Sequence, residues 1–533
     1  LYFPKFFHPD PTVKRRSGFL QPRLNNSKTL GSSINIPYFK TLGSNKDLTF
    51  KPTFFEKFSK FEREKYILQT EFRKKEKNSS LIADFAFLRD YKSSTNSKTK
   101  NINHLFLNYN SDLNFTDFLE SKFEARIERV SNDTYLKVFE NNLFETPLIP
   151  QSQTTLKSNL KLYLNKGDKN LTTGIEVYEN LGTKHSDRYQ YTLPYYDFYQ
   201  NISSMIADYP INGSLNFYST GINKLSNTNN LRTTVVNDIV FNSKDFISNL
   251  GLKNDFDLYL KNLNSAGKKD PLYSSNIQID GMSILKFDSA LPLLKSTNIS
   301  RQTLTPKISL RINPGNNMDN YSNRATNITA NNVYDINRLG VSNVYEAGRS
   351  LTFGFDYKFD LIENNDVSKN TKDKYLEVKL ASVLRDEFEH DIPISSTINR
   401  KNSDIFGSIN NKLFNNLNLT YDFSLDNDLK TINSNSISTE ISINNFITSF
   451  NYIEKRNEIG STHMLSNVTE YMINDNTSFK FSTRRNKEIN LTEYYNLSYE
   501  YKNDCLTAAL KFKKSFYQDN DLKPTEDLFF TIT

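Results

Sequence analysis

The sequence predicts an all-β fold: a large antiparallel barrel that crosses a membrane with strands. Three observations predict it. Apolar and polar residues alternate with a period of two in segments spread along the whole chain. The chain carries 30 Tyr and 40 Phe yet has a negative mean hydropathy. No uncharged apolar run reaches the roughly 18 residues that a transmembrane helix needs. So many aromatics exclude a solvated disordered chain, and with 17 Gly and 16 Pro in 533 residues the collagen-like and linker classes fail as well.

The strands can be taken in order. Residues 160–164, 308–312, 351–357 and 497–501 each place apolar side chains on alternate positions. The clearest case is 417–425, where Leu417, Leu419, Tyr421, Phe423 and Leu425 share one face, and Asn418, Thr420, Asp422 and Ser424 share the other. The apolar set is expected on the lipid side. The breaks Gly43-Ser44-Asn45-Lys46-Asp47, Asn165-Lys166-Gly167-Asp168 and Asn313-Pro314-Gly315-Asn316-Asn317 read as short hairpin turns. Residues 54–65 have loosely helical spacing but read as a charged hairpin loop, with Pro52 marking a strand start; amphipathic helices are otherwise absent. At roughly 20–25 residues per strand and loop, the chain holds about 21–27 strands. A soluble β-protein would show the same average composition, but it rarely sustains so many strands without a linker, and no boundary is visible after residue 17.

Little in the sequence points to catalysis or a metal. The histidines His8, His104, His185, His390 and His463 lack metal-ligand spacing to one another or to the lone Cys505, and read as solvated loop or lumen residues. There is no nucleophile elbow and no phosphate-binding glycine loop. The net charge of +7 is spread along the chain, without the basic block of a nucleic-acid module. We expect no cofactor, no metal, no nucleic-acid partner and no enzymatic activity.

Several blocks carry a more specific signal. The chain begins Leu1-Tyr2-Phe3-Pro4, followed by Lys14-Arg15-Arg16-Ser17-Gly18-Phe19-Leu20-Gln21-Pro22, Ile36-Pro37-Tyr38-Phe39 and Asn45-Lys46-Asp47-Leu48-Thr49-Phe50-Lys51-Pro52. Further on come Val130-Ser131-Asn132-Asp133-Thr134-Tyr135-Leu136, then Asn332-Val333-Tyr334-Asp335-Ile336-Asn337-Arg338 with Glu346-Ala347-Gly348-Arg349, then the stretch from Leu497 to Leu506 around Cys505. In this order the blocks resemble the barrel of the LptD family of lipopolysaccharide-assembly proteins. The chain departs from the family's pattern in having Asp504, where a second cysteine is frequent, before Cys505. The family's periplasmic N-terminal domain does not precede Leu1, and 527–533 reads as a closing strand cut short, so truncation at both ends is expected.

The resemblance implies a barrel of about 26 strands in the bacterial outer membrane. Residues 1–16 would be the end of the periplasmic domain or its linker, and 17–533 the barrel. It implies transport of lipopolysaccharide, with its sugars crossing the lumen, and insertion among outer-membrane lipids through a lateral gate between the first and last strands. Implied partners are an LptE-like plug lipoprotein and, through the N-terminal domain, an LptA-like periplasmic bridge. Proline removes a ladder donor, so Pro22 and Pro37 are the gate candidates. Cys505 would form a disulfide with a cysteine upstream of Leu1. Rival readings are a porin or receptor barrel, and an outer-membrane lipase-type enzyme.

Overall fold

The computed structural model describes residues 15–532 apart from 28–29, 57–64, 92–99, 140–142, 144–145, 184–187, 207–211, 227–228, 271–272, 316–327, 341–344, 363–373, 390–391, 393, 457–461, 504–506 and 517–524. Thirty β segments run from Gly18–Phe19 to Thr525–Ile532. Four consecutive pairs of segments continue one another: Gly18–Phe19 with Arg23–Ser27, Gly31–Asn35 with Tyr38–Thr41, Asn230–Ser243 with Phe246–Ile247, and Gln278–Ala290 with Leu293–Ser296. The result is a closed barrel of 26 antiparallel strands. Each strand pairs with its successor, and the ring closes where Arg23–Ser27 meets the last strand, from Arg23↔Thr531 to Ser27↔Asp527. The expected strands at 160–164, 308–312, 351–357, 417–425 and 497–501 all lie inside observed ones.

Sidedness follows from the alternation and inverts that of a soluble protein. In the third strand, Lys46–Phe55, the polar Asp47, Thr49, Lys51 and Thr53 are buried, whereas Phe50 and Phe54 are 44% and 46% exposed. The next strand repeats this with Gln69 and Glu71 buried and Tyr66 and Leu68 exposed. Charges that hydrogen-bond one another face the lumen, and apolar side chains form the outer band that lipid solvates. In Leu417–Leu425, Ser424 points inward to Asp404 at 2.6 Å, and the Phe423 ring lies over Gly407 of the adjacent strand. Leu417, Leu419, Tyr421, Phe423 and Leu425 therefore share the outer face.

The apolar core sits in the lumen. At the barrel end opposite Gly18, three connections between strands fold inward. One carries a five-residue helix, Tyr135–Phe139, whose Tyr135, Leu136 and Phe139 pack with Ile67, Ala86 and Phe106 of the wall. A second brings Val333 and Leu339 against Ala381, Val383 and Phe406, together with Ile392 and Ile398 of the third. Tyr345 joins Val236, Tyr259 and Leu263. Each such side chain contributes about 1.5–3 kcal/mol of burial, which holds the connections inside.

Three readings of the sequence are corrected here. Pro52 lies within the third strand rather than at its start. Residue 313 ends a strand that leads into a long inward connection, not a short hairpin. The short helix at Tyr135 was not anticipated, because five residues are too few to show a 3.6-residue period.

Candidate functional site

Among the described residues, the closure between first and last strands is the shortest ladder of the ring's wall, one pair shorter than the ladder between Lys374–Arg385 and Ile405–Phe414. It has five registered pairs, against fourteen between Gly213–Ser226 and Asn230–Ser243. The first strand is itself interrupted. Gly18 and Phe19 face Phe39 and Tyr38, whereas Arg23 faces Asn35, so the register changes by one residue between them. Pro22, exposed, stands at that change, and Pro37, buried, stands in the matching gap of the second strand. The backbone N–H of Leu20 donates to the carbonyl of Pro37 at 2.8 Å. In an antiparallel pair the partner would return such a bond, but proline has no N–H to return. The same holds one strand further on, where Ile36 donates to Pro52 at 3.1 Å and Pro52 cannot reciprocate. Proline thus removes one bond from each of the two ladders next to the closure.

The lumenal side of these strands is polar and tightly connected. Asn35 of the second strand donates to the Lys51 carbonyl and to Thr53 Oγ1. Lys51 Nζ reaches Glu71 at 2.8 Å and Asp84 at 3.4 Å. Asp84 also accepts from Gln69 and lies 2.6 Å from His104 Nε2. His104 Nδ1 lies 2.7 Å from the Tyr135 hydroxyl of the lumenal helix. The Asp84 carboxylate accepts from Nε2–H, and Nδ1 shares a hydrogen bond with the Tyr135 hydroxyl. Burial, then the Asp84 charge, push the Tyr135 phenol above its ordinary range. At the barrel end carrying Gly18, Asp47 binds Arg73 at 2.9 Å and Arg15. His104 was read from sequence as a solvated loop or lumen residue; it is fully buried in this network, stacked on Phe106 at 4.2 Å.

A second network fixes the inward connection that carries Glu346. The Glu346 carboxylate binds Arg338 Nε at 2.8 Å, Arg338 Nη2 at 2.6 Å and Arg385 Nη1 at 2.7 Å. Arg338 also bonds Ser350 and Thr352, and Arg311 donates to the Glu346 carbonyl. Burial alone would raise the Glu346 pKa, but Arg338, Arg311 and Arg385 outweigh it and hold the carboxyl at about 2. Among the described residues no group of three or more His, Cys, Asp and Glu is placed to hold a metal.

The structure brings Pro22 and Pro37 together at the first two strands. Cys505 lies outside the described residues; the flanking strand ends Lys502 and Thr507 are at the same end of the barrel as Gly18. Residues 1–14, most of the expected linker, also lie outside the described residues. Sequence reasoning missed His104, Asp84 and Lys51 as a group, since nothing in the sequence pairs residues 20 and 33 positions apart.

Comparison with known proteins gives one informative match. A family model described as "LptD: LPS transport system D" matches residues 102–477. The matched stretch includes His104, Tyr135, Arg338 and Glu346, and stops short of the first and last strands. No curated protein matches the chain. Similar solved structures include the alcaligin outer-membrane receptor FauA of Bordetella pertussis, at 5% identity and TM-score 0.31, covering 98% of this chain and 77% of that one. The ferric preacinetobactin receptor BauA of Acinetobacter baumannii has 7% identity and TM-score 0.29, covering 96% and 79%. The FrpB iron transporter of Neisseria meningitidis has 7% identity and TM-score 0.29, covering 98% and 83%. Likenesses this weak do not bear on function.

Proposed function

The chain belongs to the LptD family, LPS transport system D, and on that premise we propose that lipopolysaccharide leaves the lumen of this barrel sideways, between its first and last strands. The protein is an outer-membrane barrel of a transport and assembly family. In our reading Pro22 and Pro37 keep the seam weak, sugars and phosphates use the polar lumen, and acyl chains slip into the outer leaflet. The observation that carries this reading is the coincidence of the shortest ladder with two broken strands: five pairs close the ring, and a proline interrupts each of the first two strands beside them. An LptE-like lipoprotein would occupy the lumen, and an LptA-like bridge would deliver the lipid through a domain preceding residue 17. Cys505 would tie that domain beneath the seam by a disulfide.

The test is a reversible lock. Asn26 and Leu528 face each other across the seam, so Asn26→Cys with Leu528→Cys gives a pair that an oxidant can cross-link. Oxidation is expected to stop the appearance of new lipopolysaccharide at the cell surface, and a reductant to restore it. An equivalent pair far from the seam, Ile239→Cys with Leu260→Cys, should have no effect. Continued export with the seam fully cross-linked would refute the lateral exit.

A further inference from the structure

Beneath the inward connection, three guanidinium groups surround one carboxylate. Arg311 and Arg338 are 3% and 2% exposed, Arg385 is 7% exposed, and Glu346, which they share, is 1% exposed. Among the described residues the other acids at this cluster are Asp386 and Glu389, and Glu389 is 4.0 Å from Arg385 Nη2 and partly exposed. Arg349 and Asp386 pair with each other at 2.8 Å nearby, leaving the balance unchanged. Among the described residues the buried group therefore carries an excess of positive charge. A buried charge of one sign is costly unless a counter-charge or a full set of hydrogen bonds accompanies it.

The hydrogen-bond inventory shows the same imbalance from the donor side. Arg338 spends its donors on Glu346, Ser350 and Thr352. Arg311 uses Nε on the Ile336 carbonyl and Nη1 on the Glu346 carbonyl, yet its Nη2 is buried and meets no acceptor among the described residues. Arg385 uses Nη1 on Glu346 and Nη2 on the Ala347 carbonyl, yet its Nε is likewise buried and without an acceptor. Two buried guanidinium donors and a positive excess share one small region. Guanidinium N–H groups favour oxyanions and halides of small size.

We propose that this cluster is a binding site for a small inorganic anion, of the chloride, sulfate or phosphate class, held by Arg311 Nη2 and Arg385 Nε. The anion would complete the charge balance under the connection and act as part of the lumenal fold. The inference does not depend on the route of lipid export.

The experiment uses the purified full chain in detergent micelles, freed of lipopolysaccharide so that a lipid phosphate cannot supply the anion. Heat denaturation is followed by gel mobility, at constant ionic strength, while gluconate is replaced by chloride, sulfate or inorganic phosphate. Binding to the folded state raises the folded-to-unfolded ratio by the factor 1 + [anion]/Kd, so a saturable rise in the midpoint is expected with at least one small anion. Arg311→Gln keeps a donor near the Glu346 carbonyl and removes the charge excess; it should abolish the anion dependence. Should that variant fail to fold, bromide replaces chloride in crystals of the unaltered protein, and an anomalous peak is expected between Arg311 Nη2 and Arg385 Nε. Addition of lipopolysaccharide to anion-free protein separates the sources: stabilisation by the lipid alone would show its phosphate, not a free anion, as the occupant and would overturn the proposal as stated. Equal midpoints in all salts, with water rather than bromide at the two donors, would overturn it too.

Discussion

Replacing Pro37 by alanine tests the seam with the smallest possible change. The variant gains a backbone N–H at the one position where Leu20 already donates to residue 37 at 2.8 Å without a bond in return. A ladder bond contributes about 0.5–1.5 kcal/mol net; this one joins the first two strands beside the seam, so wherever opening requires the first strand to yield, it makes opening at most roughly two- to twelvefold rarer. The same substitution frees the unfolded chain, at a cost of about 0.4–1 kcal/mol to global stability. The two terms offset each other in unfolding. In seam opening the unfolded chain plays no part, because both states are folded there, and the added bond acts only by holding the first strand to the second. Pro37→Ala should therefore leave the heat-denaturation midpoint nearly unchanged while slowing lipopolysaccharide export, and adding Pro22→Ala should deepen the effect by letting the first strand pair without its register change. The assay is pulse-labelled lipopolysaccharide reaching the surface, with resistance to large antibiotics as the cellular readout. Normal export and resistance in the double variant would refute the assignment of these prolines.

Four further outcomes are expected. Glu346→Gln leaves the buried Arg338 and Arg385 without the charge of their shared carboxylate, beside the buried Arg311, and should destabilise the protein by about 3–5 kcal/mol, seen as a lower heat-denaturation midpoint and protease cleavage within 328–346. Because the folded Glu346 carboxyl titrates near 2 rather than 4.5, it contributes about 3 kcal/mol that is fully present above pH 4.5 and is lost as pH falls toward 2; acid unfolding midpoints of wild type and Glu346→Gln should converge in that window. Gly354→Ala would put a Cβ 2.1 Å from the Leu380 carbonyl oxygen and 2.6 Å from the Tyr334 hydroxyl, and should cost about 1–3 kcal/mol by overpacking, measured by the same denaturation assay. For Cys505, non-reducing electrophoresis of the full-length protein with and without Cys505→Ser should show different mobilities; identical migration and free maleimide labelling of Cys505 would remove the disulfide.

Much of the barrel was legible because its rule is local. A strand between lipid and lumen alternates every second residue, so Leu417 to Leu425 declared both its extent and its outer face. The prolines were legible for a similar reason, since a missing N–H belongs to the residue alone. What was hidden depends on register. Lys51, Glu71, Asp84 and His104 sit on four successive strands, and only the ladder offsets align them with Asn35 at one end and Tyr135 at the other. The Arg338–Glu346 pair was present within a block singled out by resemblance, but its burial was not visible. A charged residue in a connection is ordinarily solvated, and here the connection turns inward because Val333, Leu339 and Tyr345 have lumenal pockets to fill.

The inverted sidedness also bears on how such a seam could open at all. A strand edge exposed to hydrocarbon leaves every freed backbone group unsatisfied, at several kcal/mol each. Five registered pairs are fewer than elsewhere in the ring among the described residues, but in lipid they would still hold firmly. The inner face changes the balance. Beside the closure it carries Asn25, Ser33 and Asn35 on the first two strands and Asp527 on the last, and both side-chain amide atoms of Asn25 are buried without a partner among the described residues. Donors and acceptors already face the lumen here, so freed backbone groups can turn toward water or sugar hydroxyls rather than toward acyl chains. On the gate reading, separation would begin beside the gap marked by Pro22 and Pro37, where the first strand is held to the second by one ladder bond fewer, and spread toward Ser27 and Asp527 with the polar lumen replacing each broken seam bond in turn. A seam of equal length with an apolar inner face would have no such substitute and would stay shut, so the polarity of Asn25, Asn35 and Asp527 is as much a part of the proposed exit as the two prolines are.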